Sequence, residues 1–149
     1  MNDRTQLTEK ILAAKRSLGL TWKDLAAALG SQSIVFYTAA LLGQHPLNRD
    51  EAEKAAAILE LDDADALLLS ESPERGVSAT MPPTDPLIYR FYELVQNMGP
   101  TWKQLIQEEF GDGIMSAIDF NMSIEREPNP AGDRVRMTLS GKFLPYKRY

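Results

Sequence analysis

Residues 85–120 read DPLIYRFYELVQNMGPTWKQLIQEEFGDGIMSAIDF, and the spacing of apolar residues changes within this segment. Asp85 followed by Pro86 is typical of a helix start, because the carboxylate can cap the first amides and proline fits the first turn. We expect one helix to run to Gly99 and a second one, capped by Thr101, to end at the GDG sequence. Two amphipathic helices are therefore predicted before the periodicity changes.

After these helices, apolar residues alternate with polar ones, as they do in a half-buried β-strand. The first alternating run consists of Ile118, Phe120, Met122 and Ile124, and the second of Val135, Met137 and Leu139, ending at Gly141. The turn-rich sequence PNPAGD lies between them at 128–133. The two runs predict a β-hairpin.

Two helices and one hairpin make a thin hydrophobic core. An isolated two-stranded hairpin is marginally stable in water, and roughly three strands or a helix to lie on are needed for independent stability. We therefore expect the C-terminal part to complete its core with a second copy of itself, which gives an intertwined dimer at minimum.

The first 70 residues are predicted to form an all-helical bundle, so the predicted fold class is α+β. Apolar residues recur at helical spacing from Leu7 to Leu18, where Gly19 ends the first helix. The next three helices are expected to begin at Thr21, Ser33 and Asn48, with Glu51 completing a capping box, and to be followed by a short helix at 64–69. Gly30 and Gly43 are the expected stops of the second and third helices.

Residues 70–86, SESPERGVSATMPPTDP, carry four of the nine prolines and show little periodicity. Such a composition is typical of a linker. We place the domain boundary here, with the helical bundle at 1–75 and a second, dimerising domain at 76–149.

The composition limits the classes of function. The chain has 149 residues, no cysteine and a single histidine, His45, which lies in a predicted turn. Disulfides, thiolate nucleophiles and cysteine metal sites are thereby excluded, and a zinc site is not expected. The N-terminal MNDRTQLTEK is polar, unlike the apolar core of a secretory signal, so we expect a cytoplasmic protein.

The segment from Thr21 to Gly43 has the outline of a helix-turn-helix, which makes a DNA-binding transcriptional regulator the alternative function. The second helix of such a motif presents polar and basic side chains to the major groove. Residues 31–43 contain no charged residue, and neither half of the chain has more basic than acidic residues. The sequence therefore favours a helix that is buried over one that contacts phosphates.

Four segments resemble those of cyanases, which are also called cyanate hydratases or cyanate lyases. They are TDPLIYRFYE, FGDGIMSAI and GKFLPYK, which span most of residues 80–146, and TAALLGQ in the N-terminal part, where the similarity is weaker. The resemblance implies that the catalytic Arg, Glu and Ser of the family correspond to Arg90, Glu93 and Ser116, all of which are present.

The resemblance also implies a reaction. Bicarbonate, the co-substrate, attacks the carbon of cyanate, and the adduct loses carbon dioxide to leave carbamate, which decays to ammonia and carbon dioxide. The family needs no metal, nucleotide or flavin, and its members are homodecamers built from dimers, with active sites at subunit interfaces. The domain at 76–149 would accordingly be catalytic as well as dimerising.

The residue types suit this chemistry, because both reactants are small anions. A guanidinium keeps its charge and presents a planar fork of donors, and a hydroxyl can donate to one anion and accept from the other. Glu93 lies three residues after Arg90, so it could orient the guanidinium, the role we favour, or relay a proton.

A purely structural interpretation stays open for each of these residues. An Arg–Glu pair at this spacing is commonly a surface ion pair, and Ser116 could be a cap or turn residue after GDG. A catalytically inactive homologue that keeps only the assembly is a third possibility. Because the neighbours of Arg90 are bulky, among them Tyr89, Phe91 and Tyr92, we expect its helix to be covered on most sides.

Overall fold

The computed structural model describes residues 3–73 and 81–149, and within these ranges it contains six helices and one two-stranded sheet. The α+β class and the helical N-terminal part are confirmed. The elements are α1 (Asp3–Ser17), α2 (Trp22–Leu29), α3 (Ile34–Leu41), α4 (Arg49–Leu59), α5 (Asp63–Ser70), α6 (Pro86–Phe110), β1 (Gly113–Glu127) and β2 (Arg134–Pro145). In the described ranges, no helix is both long enough and apolar enough to span a bilayer.

The chain divides into two compact units. The described residues of the first are 3–73 and the outer part of the hairpin, 123–137, and those of the second are 81–122 and 138–149. The predicted domain boundary within 70–86 lies partly outside the described residues, and it stays a prediction.

The predicted starts of the N-terminal helices are confirmed by their caps. Thr21 Oγ accepts a hydrogen bond from the Asp24 amide at 3.1 Å, while the Asp24 carboxylate accepts one from the Thr21 amide at 2.8 Å. Asn48 and Glu51 form the same reciprocal box at the start of α4, with distances of 2.9 and 3.0 Å. Local side chains therefore satisfy backbone amides that no helical carbonyl could reach.

The core of the first unit consists of aliphatic residues and Tyr37. Its largest fully buried side chains are Leu7, Ile11, Leu25, Leu29, Tyr37, Leu41, Leu59 and Leu69. The apolar helix α3 contributes Tyr37, Ala40 and Leu41 to this core. The prediction that α3 packs inward is confirmed by its buried residues.

Buried polar side chains connect helices that are distant in sequence. Arg4 donates hydrogen bonds to the carbonyl oxygens of Leu68 and Ala40, near the C-terminal ends of α5 and α3. Burial lowers the pKa of Arg4, although its guanidinium remains charged at neutral pH. The cation therefore adds a charged donor to helix-terminal carbonyl groups that also accept bonds from the amides of Gly43 and Glu71.

The C-terminal helices need a correction, because α6 is one continuous helix of 25 residues instead of two. Thr101, predicted to be a cap, lies inside it. Pro100 lacks the N–H that would bond to the Gln96 carbonyl, but it removes only that bond. The residue before a proline usually avoids the helical region because its Cβ meets the proline ring, and Gly99 has no Cβ. The helix therefore passes through the predicted break.

Asp85 caps α6 as predicted, and its carboxylate accepts hydrogen bonds from the amides of Leu87 and Ile88, each at 2.9 Å. No residue of α6 is buried within one chain. Its exposed apolar side chains are Leu87, Ile88, Phe91, Leu94, Val95, Met98, Trp102, Leu105 and Phe110. A single chain therefore does not supply the cover that we expected for this helix.

The predicted hairpin is confirmed, and β1 begins five residues earlier than its alternating pattern. A loop at 128–133 joins the strands, where the Asp133 carboxylate accepts hydrogen bonds from the Asn129 amide and from Arg126. Phe110, at the end of α6, stacks on Phe143 of β2 with ring centroids 5.2 Å apart. The base of the hairpin is thus packed against the end of the helix.

The capping box of α4 leads to a testable prediction. In Asn48→Ala the Glu51 amide loses its acceptor, so we expect the free energy of unfolding to fall by about 1 kcal/mol. Asn48→Asp keeps an acceptor oxygen in place and serves as the control. Thermal unfolding at a fixed protein concentration measures both variants, and equal Tm values for Asn48→Ala and the parent chain would contradict the prediction.

Candidate active site

Arg90 and Glu93 lie on the second turn of α6, in the register that the Asp85 cap and Pro86 set. Nη1 of Arg90 donates to both carboxylate oxygens of Glu93, at 2.7 and 2.8 Å. The predicted contact between the two side chains is confirmed. Because both recorded bonds come from one nitrogen, Nη2 and Nε lie outside the pair and remain oriented donors for an anion.

The solvent exposure of the Arg90–Glu93 ion pair limits its contribution to the stability of the fold. The Arg90 side chain is 60% exposed and that of Glu93 34%. Ion pairs this open to solvent typically contribute only ~0.3–0.5 kcal/mol, because water screens them and ordering two long side chains costs entropy. The geometry is better suited to orienting the guanidinium than to holding the fold together. The centroid of the Tyr89 ring lies 5.5 Å from Arg90 Cζ, within the range of a cation–π contact.

Ser116 lies within β1 and is only 5% exposed. Its Oγ accepts hydrogen bonds from the amides of Ile118 at 3.0 Å and Asp119 at 2.9 Å. Consecutive amides of a regular strand point to opposite sides, so their convergence on one oxygen marks a local distortion of the β-bulge kind. Ser116 is therefore a strand residue whose side chain is fixed by local backbone groups, and it does not cap a helix.

The structure brings two of the three predicted site residues together. Arg90 and Glu93 are in contact, whereas the hydrogen bonds of residues 81–149 within one chain do not connect either of them to Ser116. A cleft of about 400 Å³ in the same unit is not lined by Arg90, Glu93 or Ser116. Its lining includes Trp102, Ile106, Ile114 and Met115.

The glycines of this region have two different uses. Gly111 ends α6 with φ +91°, a conformation that favours glycine. Gly113 and Gly141 are needed for close contacts: a Cβ at Gly113 would lie 2.5 Å from Cζ of Phe143, and one at Gly141 would lie 2.6 Å from Cγ of Met115. The alternating pattern marks Gly141 only as a strand end, although an isolated glycine in a strand pattern also signals a close backbone approach.

In the ranges 3–73 and 81–149, no three or more His, Asp or Glu side chains are grouped so that they could share an ion. His45 lies in an exposed bend, as predicted for a turn, with its ring 5.2 Å from that of Phe36.

Both parts of the chain match known family models. Residues 80–148 match the cyanate lyase C-terminal domain, and residues 4–73 match the cyanate hydratase N-terminal model. The two matches leave only the ends and residues 74–79 outside. Arg90, Glu93 and Ser116 all lie within the first match.

Similar proteins cover nearly the whole chain. Cyanate hydratases from Methylibium petroleiphilum and Ralstonia pickettii are each 56% identical over 146 residues, which cover 98% of this chain and 99% of theirs. The crystal structure of cyanase from T. urticae superimposes with a TM-score of 0.81 at 38% identity, over 93% of this chain and 96% of that one. The chain therefore belongs to the cyanate hydratase family.

Proposed function

We propose that the chain is a cyanate hydratase that catalyses the bicarbonate-dependent decomposition of cyanate. One observation carries the proposal: an exposed guanidinium, held at Nη1 by Glu93, keeps oriented donors for a small anion. Membership of the family supports the same function. The regulator alternative is not favoured, since α3 has no charged residue and buries part of its surface in the helical core.

The reaction joins two anions and consumes protons. An oxygen of bicarbonate attacks the cyanate carbon, and one proton is taken up as the adduct loses carbon dioxide and leaves carbamate. Carbamate takes up a second proton and decays to ammonia and carbon dioxide. In physiological terms, the reaction would remove a toxic anion and release nitrogen as ammonia.

The contacts of Arg90 and Glu93 support the proposed roles of these two residues, and the resemblance to the family supports that of Ser116. Arg90 binds and orients an anion and offsets the charge that builds up as the two reactants meet, which is catalysis by positioning and by preorganised donors. Glu93 orients Arg90 through the two bonds at Nη1, and Ser116 holds the second reactant. No cofactor is part of the proposal, and bicarbonate is a co-substrate.

We further propose that the site forms between chains. One guanidinium is little for two anions, and the apolar side chains of α6 are open in a single chain. A second copy that covers these side chains would also bring its own Arg90 or Ser116 close. The proposed assembly is an intertwined dimer that forms a decamer, with cyanate, bicarbonate and further copies of the chain as partners, without nucleic acid or membrane. Its cytoplasmic location stays a prediction.

The proposed reaction predicts ammonia release from cyanate that requires bicarbonate. We expect full activity when both anions are present and a loss of at least tenfold after bicarbonate and dissolved carbon dioxide are removed. A coupled ammonia assay in degassed buffer measures it. Salt-sensitive binding to duplex DNA together with no ammonia release would support the regulator instead.

Arg90→Lys tests the guanidinium. We expect kcat/KM to fall at least a hundredfold with the assembly intact, because an ammonium point charge cannot replace a planar fork. Arg49→Lys is the matched control, since Arg49 pairs with Glu53 on α4 at 3.0 Å and is placed outside the site. Unchanged activity in Arg90→Lys would remove Arg90 from the proposed role.

If the proposed assembly is right, a charged side chain placed on the exposed apolar surface of α6 should dissociate the dimer. Leu105 and Leu67 are matched helical leucines, 60% and 63% exposed, in the second and first units respectively. We expect Leu105→Asp to lose the dimer in sedimentation velocity, because a carboxylate would have to be buried between copies. Leu67→Asp should keep the dimer. A monomeric parent chain would contradict the proposal outright.

A further inference from the structure

Ser116 is the one buried residue between 81 and 149, all of which the structure describes. Every apolar side chain of this segment is at least partly open, while a small polar side chain is enclosed. The burial of a polar group is costly unless its hydrogen bonds are made. The hydrogen-bond partners of the Ser116 hydroxyl are therefore important for the stability of this buried position.

The hydrogen bonds of Ser116 Oγ use its capacity as an acceptor. A serine hydroxyl has two acceptor lone pairs and one donor proton. The amides of Ile118 and Asp119 occupy both lone pairs. Among the described residues, no hydrogen bond donated by this hydroxyl is recorded, so its proton is the part left for a ligand.

We propose that Ser116 acts only as a hydrogen-bond donor to the reacting anion, and that Gly141 is the positioning residue that keeps it so. The proposal rests on the proposed function, and it assigns the direction of the hydrogen bond between the Ser116 hydroxyl and the anion. Two amides that donate to one oxygen polarise its O–H bond, which strengthens it as a donor. A nucleophilic serine would instead need a base to take its proton, and neither recorded partner of Oγ can do so.

Gly141 acts on Ser116 through the backbone of β1. A Cβ at Gly141 would come into hard contact with the carbonyl oxygen of Ser116 and would lie 2.6 Å from Cγ of Met115. Real Cβ atoms essentially never approach so closely, so an alanine there would push β1 away at the distorted residues. The φ of Gly141 is not in the left-handed region, and close approach is therefore the reason for glycine here.

Hydrogen exchange tests the bonding of Ser116 without any turnover. In the assembled protein, Ser116→Ala removes the acceptor of two amides, so a peptide covering 113–122 should exchange two additional amides early. Ser116→Thr keeps the hydroxyl and should exchange as the parent does. Equal exchange in Ser116→Ala and the parent would overturn the proposed bonding, even if the chain proves to have no activity on cyanate.

Inhibition by azide, a linear anion isoelectronic with cyanate, tests the direction of the donated bond. Azide accepts hydrogen bonds and donates none, so we expect its inhibition constant to rise about tenfold in Ser116→Ala and to return towards the parent value in Ser116→Thr. If the parent chain is active on cyanate and Ser116→Ala has the same inhibition constant for azide, the donor role of Ser116 is wrong. The proposed reaction is unaffected by that result.

A double-mutant cycle tests whether Gly141 acts through Ser116. Gly141→Ala should lower kcat at least tenfold in the parent and have little further effect in the Ser116→Ala background, because coupled residues are not additive. Ser140→Thr, which adds a methyl group at the exposed neighbouring position, is the matched control and should keep kcat. If the two substitutions lower kcat independently, so that their fold-changes multiply in the double mutant, the positioning role of Gly141 is wrong. If Gly141→Ala fails to assemble, the exchange and azide measurements still decide the donor role.

Discussion

The apolar side chains of α6 have no buried position in a single chain, and this constraint governs the C-terminal unit. A helix with such a surface is stable in water only when something covers it, since each large side chain gains roughly 1.5–3 kcal/mol from full burial. The N-terminal unit differs, because it encloses its own core around Tyr37 and the leucines of five helices. One unit is thus complete in itself, and the other is proposed to share its core with a second copy.

The polar groups of the C-terminal unit are held in fixed orientations by their neighbours. Glu93 holds one nitrogen of Arg90, so the guanidinium has a preferred orientation in the single chain. Ser116 is held by two backbone amides, and Gly141 lets β2 approach it closely. Donors that are already oriented need little reorganisation when charge develops, which is where catalysis by electrostatics is most effective.

The sequence predicted the features that depend on near neighbours. The caps at Thr21, Ser33 and Asn48 were predicted because the groups that bond lie three residues apart. The predicted break between Gly99 and Thr101 was wrong, because the missing Cβ of Gly99 lets the helix continue into Pro100. The contacts of Arg4 were not predicted, since its carbonyl partners lie 36 and 64 residues away.

By itself, the sequence determined the α+β class, the helical N-terminal part, the hairpin and the pairing of Arg90 with Glu93, because periodicity, caps and an i, i+3 spacing are local properties of the chain. Only the tertiary structure decided that α6 is one helix, that Ser116 is enclosed, that its oxygen accepts two amides, and that Gly141 lies against it. The continuity of α6 rests on the missing Cβ of Gly99, whereas the last three facts depend on how β1 distorts and how closely β2 passes. Such distances are set by the packing of residues far apart in the sequence, and no local pattern records them.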